Sequence, residues 1–436
     1  MAATSMATRA DVVSPVLAPL DAQMPDLESF YENLHRHPEL GFLEHHTAAA
    51  VATCLGDDGY QVQTGIGRTG VVGVLRNGDG PVVLLRADMD ALPVKEETGL
   101  SYASTDTQTD LDGNAVPVMH ACGHDVHVTC LLGAARLLAA AQDAWSGTLI
   151  VLFQPNEEEG GGADGMVDDG LYDKVPKPDV VLAQHVAPFP VGTISFHRGA
   201  AMAAADRFAV TFHGRGAHGS EPETAIDPVL MAAATVQRWQ GIVAREVTPG
   251  TQTVVTVGSI HGGDVPNAIP DQVVAQLEVR SFDKDVRAHV IGAIKRIARA
   301  EAVASGAGQE PDVRVLNTFP VLVNTDAILT GVNRAFGEHF GSEHLAEIPP
   351  VMGSEDAGVL ATAVGAPIYY WFIGGNDPAF LQECKDKGVL PPSNHSPHFA
   401  PVKQPTLTNG VQTLVVAALD RLSQPKATPA APTGSH

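Results

Sequence analysis

Acidic and imidazole side chains in this sequence cluster where short apolar runs end. The run 82–85 leads into Arg86-Ala87-Asp88-Met89-Asp90, and 149–153 leads into Gln154-Pro155-Asn156-Glu157-Glu158-Glu159. The run 180–182 leads into Ala183-Gln184-His185; 368–373 leads into Gly374-Gly375-Asn376-Asp377, with Asn394-His395-Ser396-Pro397-His398 beyond. Cys122-Gly123-His124-Asp125 precedes a helical stretch at 126–141. Thiolate, imidazole and carboxylate together suit zinc and its neighbours, and manganese less well because of the sulfur. Cys122, His124, Glu158, His185 and His395 could hold two ions with the thiolate shared, and His120 and His127 are rival ligands. Two ions about 3.5–4 Å apart can polarise a carbonyl and lower the pKa of a bound water to about 7. Such chemistry also needs a base that is not a ligand. The neighbours Glu157 and Glu158 suit that division, one facing water and the other the metal. Singly, each of these residues has an ordinary structural explanation; their arrival at one edge gives them weight.

That edge belongs to a sheet. Buried apolar runs alternating with helical stretches predict an α/β fold, a mixed and mostly parallel sheet with helices on both faces. In such sheets ligands bind outside the carboxyl ends of the strands. From 204 to 319 the rhythm changes to strand, helix, two strands, helix, strand, which predicts an inserted two-layer α+β domain. Asp227-Pro228 opens one of its helices with a cap and a first-turn proline. The larger domain then comprises 21–203 and 320–423. The ends, 1–20 and 424–436, rich in Ala, Thr, Ser and Pro, are expected to be disordered tails, with structure beginning at a Pro25-Asp26 cap.

The formal charge of −23 argues against nucleic acid and membrane surfaces as partners. Four cysteines in 436 residues do not make a disulfide scaffold and point to a reducing compartment. No run approaches the roughly 18 apolar residues of a membrane span, and the first residues lack the pattern of a signal peptide, so a cytoplasmic location is expected.

With His35-Arg36-His37-Pro38-Glu39-Leu40, Leu85 to Pro93, Met119 to Asp125, Phe153 to Glu158, Met352-Gly353-Ser354-Glu355-Asp356 and His395-Ser396-Pro397, the sequence resembles the dinuclear-metal aminoacylase/carboxypeptidase family. Within it the likeness is to the amidohydrolase branch of N-acyl-amino-acid, hippurate and auxin-conjugate hydrolases, and it runs from about His35 to Pro401. The resemblance implies two divalent ions per subunit, zinc first, with manganese, cobalt and nickel as alternatives. It implies ligands at Cys122, His124, Glu158, His185 and His395, with Glu157 as general acid/base. The inserted domain would be a lid that forms a homodimer, with His218 stabilising the oxyanion in the partner's site and Asn267 and Arg280 binding a small-molecule substrate. The expected reaction is cleavage of N-acyl-amino acids to a carboxylic acid and an amino acid. The alternatives are a metal-dependent dipeptidase or carboxypeptidase, and a catalytically silent metal-binding scaffold. Asn156, Glu159 and Glu223 depart from many relatives, which bears on substrate preference.

Overall fold

A computed structural model of the chain describes residues 9–422. They form two units, one of residues up to 199, 323–349 and from 357 onward, the other of 200–322 and 350–356.

The first unit is built on an eight-stranded sheet. Its strands are β1 (Gln61–Ile66), β2 (Gly70–Asn77), β3 (Val82–Asp88), β4 (Gly147–Gln154), β5 (Val180–Pro190), β6 (Ile194–Phe196), β7 (Leu345–Glu347) and β8 (Ile368–Asn376). They lie in the order β1-β2-β4-β3-β5-β8-β6-β7. The four central strands, β4, β3, β5 and β8, are mutually parallel. Antiparallel pairs β1–β2, β2–β4 and β8–β6 flank them. The central strands are apolar on both faces because both are covered: Val83, Leu84 and Leu85 of β3 and Leu149 to Phe153 of β4 are all buried.

Helices α1 (Arg9–Leu17), α2 (Leu20–Arg36), α3 (His45–Asp57), α4 (His124–Ala140) and α5 (Lys403–Arg421) belong to this unit. Helix α4 is apolar around most of its circumference, as a helix enclosed by protein must be. It packs against α2, α5 and β3.

Two expectations for the N-terminal region need correction. Residues 9–17 are helical rather than a disordered tail, because Val13, Val16 and Leu17 bury a face in the core; residues 1–8 and 423–436 lie outside the described residues. Helix α2 also begins at Leu20, so Pro25 sits inside it and does not cap it. Leu20, Met24, Leu27, Tyr31 and Leu34 are buried along one face, each contributing about 1.5–3 kcal/mol, which outweighs the roughly 3 kcal/mol cost of an internal proline.

The second unit carries a four-stranded antiparallel sheet in the order 253–261, 272–281, 204–213, 312–319. Helices Pro228–Glu246 and Lys284–Ala304 pack on it and on each other. Asp227 caps the first, accepting the Val229 and Leu230 N–H groups, and Asp283 caps the second in the same way. Phe208, Phe212, Trp239, Ile242, Val290 and Ile294 fill the core between these layers. Residues 350–356 belong with this unit rather than with the sheet that surrounds them in sequence. The Ala203 N–H donates to the carbonyls of Val351 (3.2 Å) and Gly353 (2.9 Å), and the Val351 N–H to Ala201 (2.8 Å).

Candidate metal centre

Strands β3 and β4 run side by side and end level, Asp88 paired with Gln154. The loops leaving them are fastened together: the Met89 N–H donates to the Gln154 carbonyl (2.9 Å) and the Glu158 N–H to Asp90 Oδ2 (2.9 Å). Between these bonds the chain turns at Asn156, whose φ of 49° lies in the left-handed region that asparagine tolerates. Its N–H donates to buried Glu44 (2.9 Å) and its side-chain amide to the Gly160 carbonyl (2.8 Å), so the glutamate pair sits in a closed turn.

Cys122 and His124 are set by Gly123, the N-cap of α4, at φ 86°. A Cβ there would lie 2.5 Å from Val186 Cγ1 on β5, so only glycine allows both the left-handed turn and the close approach. His185 lies on β5, opposite Phe372 of β8, and not in a loop after a shorter strand as the sequence suggested. His395 arrives on a loop held by its own N–H to the Ala121 carbonyl (2.8 Å) and by Asn394, which donates to the carbonyls of Cys122 (3.0 Å) and Val186 (3.2 Å).

The predicted ligands therefore meet in two triads that share Cys122. Cys122, His124 and His185 form one, and Cys122, Glu158 and His395 the other, with ligating atoms within 4.8 Å of one another in each. Cys122 Sγ is 3.4 Å from His185 Nε2, and His395 Nε2 is 3.2 Å from Glu158 Oε2. Glu157, also buried, groups with His124 and Glu158.

The donor set fits divalent cations. Among the described residues His124 Nε2 and Glu158 Oε1 are buried without a hydrogen-bond partner and lie 3.7 Å apart, an arrangement that costs free energy unless a cation fills it. The tautomers agree. His185 Nδ1 donates to the Val186 carbonyl (2.7 Å), and burial keeps its ring well below the usual histidine pKa, so Nε2 presents a lone pair. His124 Nδ1 faces Asp90 Oδ1 at 3.2 Å, which leaves Nε2 for a metal. Burial opposes a charge on His124, but Asp88, Asp90 and Glu158 push its pKa up to about 10; the site holds a proton where it could hold a stronger cation. Burial, then Glu158 and Glu157, push the Cys122 thiol well above its usual range, so a metal is what would make it a thiolate.

The rival ligands separate on hydrogen bonding. His127 Nε2 accepts the Val186 N–H (2.8 Å), so its proton is on Nδ1, which donates to Asp88 Oδ1 (2.5 Å); both nitrogens are spent. His120 joins none of the ligating groups among the described residues, and burial pushes its pKa down to about 4.

Sequence reasoning placed Asp88, Asp90 and Asn394 at this edge without giving them roles, and missed Glu44. Asp90 supports one member of each triad, His124 and Glu158. Asp88 holds His127 and accepts from Arg86 Nη1 (2.7 Å); burial alone would raise its pKa, but Arg86 and then His124 hold it well below the usual range. For Glu44, burial and then Asp90 push the carboxyl up to about 7. Nothing local in the sequence marks Glu44, because its partners lie at Thr69 and Asn156.

His218, Asn267 and Arg280 lie in the second unit. His218 and Asn267 are neighbours in a short antiparallel ladder, with His218 opposite Ala268 and the Gly219 N–H on the Asn267 carbonyl (2.7 Å). His218 Nδ1 accepts the Ser220 N–H (3.2 Å), which puts its proton on Nε2. Arg280 is ion-paired with Glu278 and donates Nη1 to the Met352 carbonyl (2.7 Å). Arg207 also pairs with Glu278 (2.9 Å), so two guanidiniums share one carboxylate.

Residues 84–387 match the peptidase family M20/M25/M40. The chain belongs to that family. It is 37% identical over 353 residues to an N-acetyl-L-cysteine deacetylase of Bacillus subtilis, covering 80% of this chain and 81% of the relative. It is 38% identical over 336 residues to a hippurate hydrolase of Campylobacter jejuni, covering 76% and 84%. A dinuclear metal-binding M20 peptidase from Bacillus subtilis superposes with a TM-score of 0.69 at 27% identity, covering 92% of this chain and 98% of that one. The chain is thus a metal-dependent hydrolase of the amidohydrolase and peptidase type, on a mixed α/β fold shared with that structure. None of its helices among the described residues is long and apolar enough to cross a membrane.

Proposed function

We propose that this M20-family chain hydrolyses the amide bond of N-acyl-amino acids to a carboxylic acid and a free amino acid. The observation that carries this reading is the pair of ligand triads sharing Cys122, with buried Glu157 beside them. The N-acyl substrates named for the two relatives point the same way.

Cys122, His124 and His185 would hold one divalent ion and Cys122, Glu158 and His395 a second, zinc by the thiolate and imidazole content, supplying Lewis acidity and a more acidic water. Glu157 takes a proton from the attacking water as its oxygen bonds to the amide carbon. When the C–N bond breaks, Glu157 returns that proton to the leaving nitrogen, so base and acid are one residue. His218 Nε2–H donates to the oxyanion. Arg280, whose Nη2 donors are not engaged by Glu278 or Met352, takes the substrate's carboxylate together with Asn267. The chain acts as a homodimer in which the second unit of one copy completes the site of the other. Support comes from that unit's edge strand, Thr253–His261, which exposes Val254 and Ile260. The free state of all four cysteines supports a reducing, cytoplasmic setting.

Glu157→Gln tests the assignment. Hydrolysis of N-acetyl- and N-benzoyl-amino acids should fall by about 100-fold or more while metal analysis still finds two ions per chain. Near-normal turnover overturns the role of Glu157.

A further inference from the structure

A cavity of about 440 Å³ opens in the first unit beside Glu158 and Asp90. Its volume lies in the range of about 300–1,000 Å³ that small-molecule sites occupy. One wall is apolar, formed by Leu40, Phe42, Leu43, Leu92 and Pro93. The rest of the lining is acidic, with Asp90, Asp110, Asp112, Glu158 and Glu159, and no Lys, Arg or His among the described residues lines the cavity. The neighbouring cation, Arg68, stacks on the Phe42 ring at 4.3 Å instead of joining the lining.

The wall is built rather than incidental. Phe42 sits at φ 63°, in the left-handed region, within a turn closed by the Leu43 N–H on the Leu40 carbonyl (2.9 Å). Gly41 lets this turn press on the glutamate loop: a Cβ there would lie 2.0 Å from Asn156 Oδ1. Asn156 and Glu159 both line the cavity.

An N-acyl-amino acid has two ends flanking the scissile bond, and only the amino-acid end must carry a carboxylate. That end is disfavoured there: with Glu158 a proposed metal ligand, the carboxylates of Asp110 and Asp112 remain, and no Lys, Arg or His among the described residues lines the cavity to draw another carboxylate in. We infer that this cavity is the acyl-group pocket, and that it takes an apolar, uncharged acyl group larger than acetyl while rejecting acyl groups that end in a carboxylate. The inference rests on the proposed N-acyl-amino-acid hydrolysis and adds its acyl specificity.

Two six-carbon acyl groups test it, hexanoyl and adipoyl, which differ in ending in a methyl or a carboxylate, each on the amino acid whose N-acetyl derivative the metal-loaded enzyme cleaves fastest. The hexanoyl substrate should exceed the adipoyl one in kcat/KM by about 10-fold or more, and should also exceed the acetyl one. Asp112→Lys replaces an exposed side chain on the rim and should shrink the hexanoyl-to-adipoyl ratio about threefold or more. Equal kcat/KM for the two acyl groups, or a ratio unmoved by Asp112→Lys, overturns the pocket. If no N-acyl-amino acid turns over with two ions bound, the hydrolytic reading fails by itself. Calorimetric binding of free hexanoate and adipate to the metal-loaded protein then decides the pocket, with tighter hexanoate binding supporting it and equal or tighter adipate binding overturning it.

Discussion

Asp90→Asn keeps the outline of a buried side chain and removes its charge. In the native protein Asp90 is 1% exposed, accepts the Glu158 N–H at 2.9 Å and faces His124 Nδ1 at 3.2 Å. An amide offers one oxygen to these two donors and turns its own NH2 toward the other, so at least one bond is lost. Hydrogen bonds to a charged group contribute about 1.5–3 kcal/mol. Losing a partner behind a metal ligand typically weakens metal binding about 10–100-fold, equivalent to about 1.4–2.8 kcal/mol, which agrees with the loss of one such bond. Because His124 belongs to one triad and Glu158 to the other, both steps of a two-site titration should shift. The metal-free protein should lose less than this, because the same change removes a negative charge that helps push Glu44 up to about 7. The assay is competition for zinc against a chromogenic chelator, with denaturant unfolding of the metal-free form alongside. Affinities within threefold of wild type at both sites, or a change confined to one, would refute the reasoning that Asp90 supports both triads.

Three further outcomes follow from the same geometry. Burial opposes the charge on His35, but Asp125 (2.6 Å) and then Glu96 (3.0 Å) push its pKa up to about 9. The folded pKa is above the unfolded value of about 6.5, so its stabilisation of about 3 kcal/mol is complete below pH 6.5 and lost as the pH rises through 9. In metal-free protein the stability gap between wild type and His35→Gln should narrow over that window; a constant or widening gap contradicts this. Gly123→Ala forces a left-handed alanine, costing about 1–2 kcal/mol before the 2.5 Å approach to Val186 is relieved. Its unfolding midpoint and metal content should both fall, and an unchanged metal content would show that the turn does not set Cys122 and His124. His127→Leu orphans the Val186 N–H and one bond of Asp88, at about 1–3 kcal/mol for each partner, yet should still bind two ions. Loss of one ion would make His127 a ligand.

The chemistry-bearing blocks were legible because they are local. Cys122 to Asp125 and Glu157-Glu158 are contiguous, and the apolar runs before Asp88 and Asn156 announce buried strands. Helix α1 was also present in the spacing of Val13, Val16, Leu17 and Leu20, but alanine-rich flanks and Pro15 disguised it, and only the core it packs on makes that face informative. Glu44 illustrates the opposite case: it lies 112 residues from Asn156, the residue whose backbone it fixes.

The sequence by itself determined which atoms are available: one thiol beside a glycine-permitted turn, imidazoles and carboxylates at strand ends, and a base adjacent to a ligand. Tertiary structure decided which of them share a site and in what state. Residue type alone does not separate His120 and His127 from His124 and His185, since all are imidazoles near one edge; the resemblance favoured the latter two. Sheet order places Val186 of β5 where its N–H consumes His127, and puts Asp90 behind His124 so that Nε2 is left free. A histidine becomes a ligand or a strut according to what its other nitrogen touches, and those partners come from strands brought together only when the sheet forms.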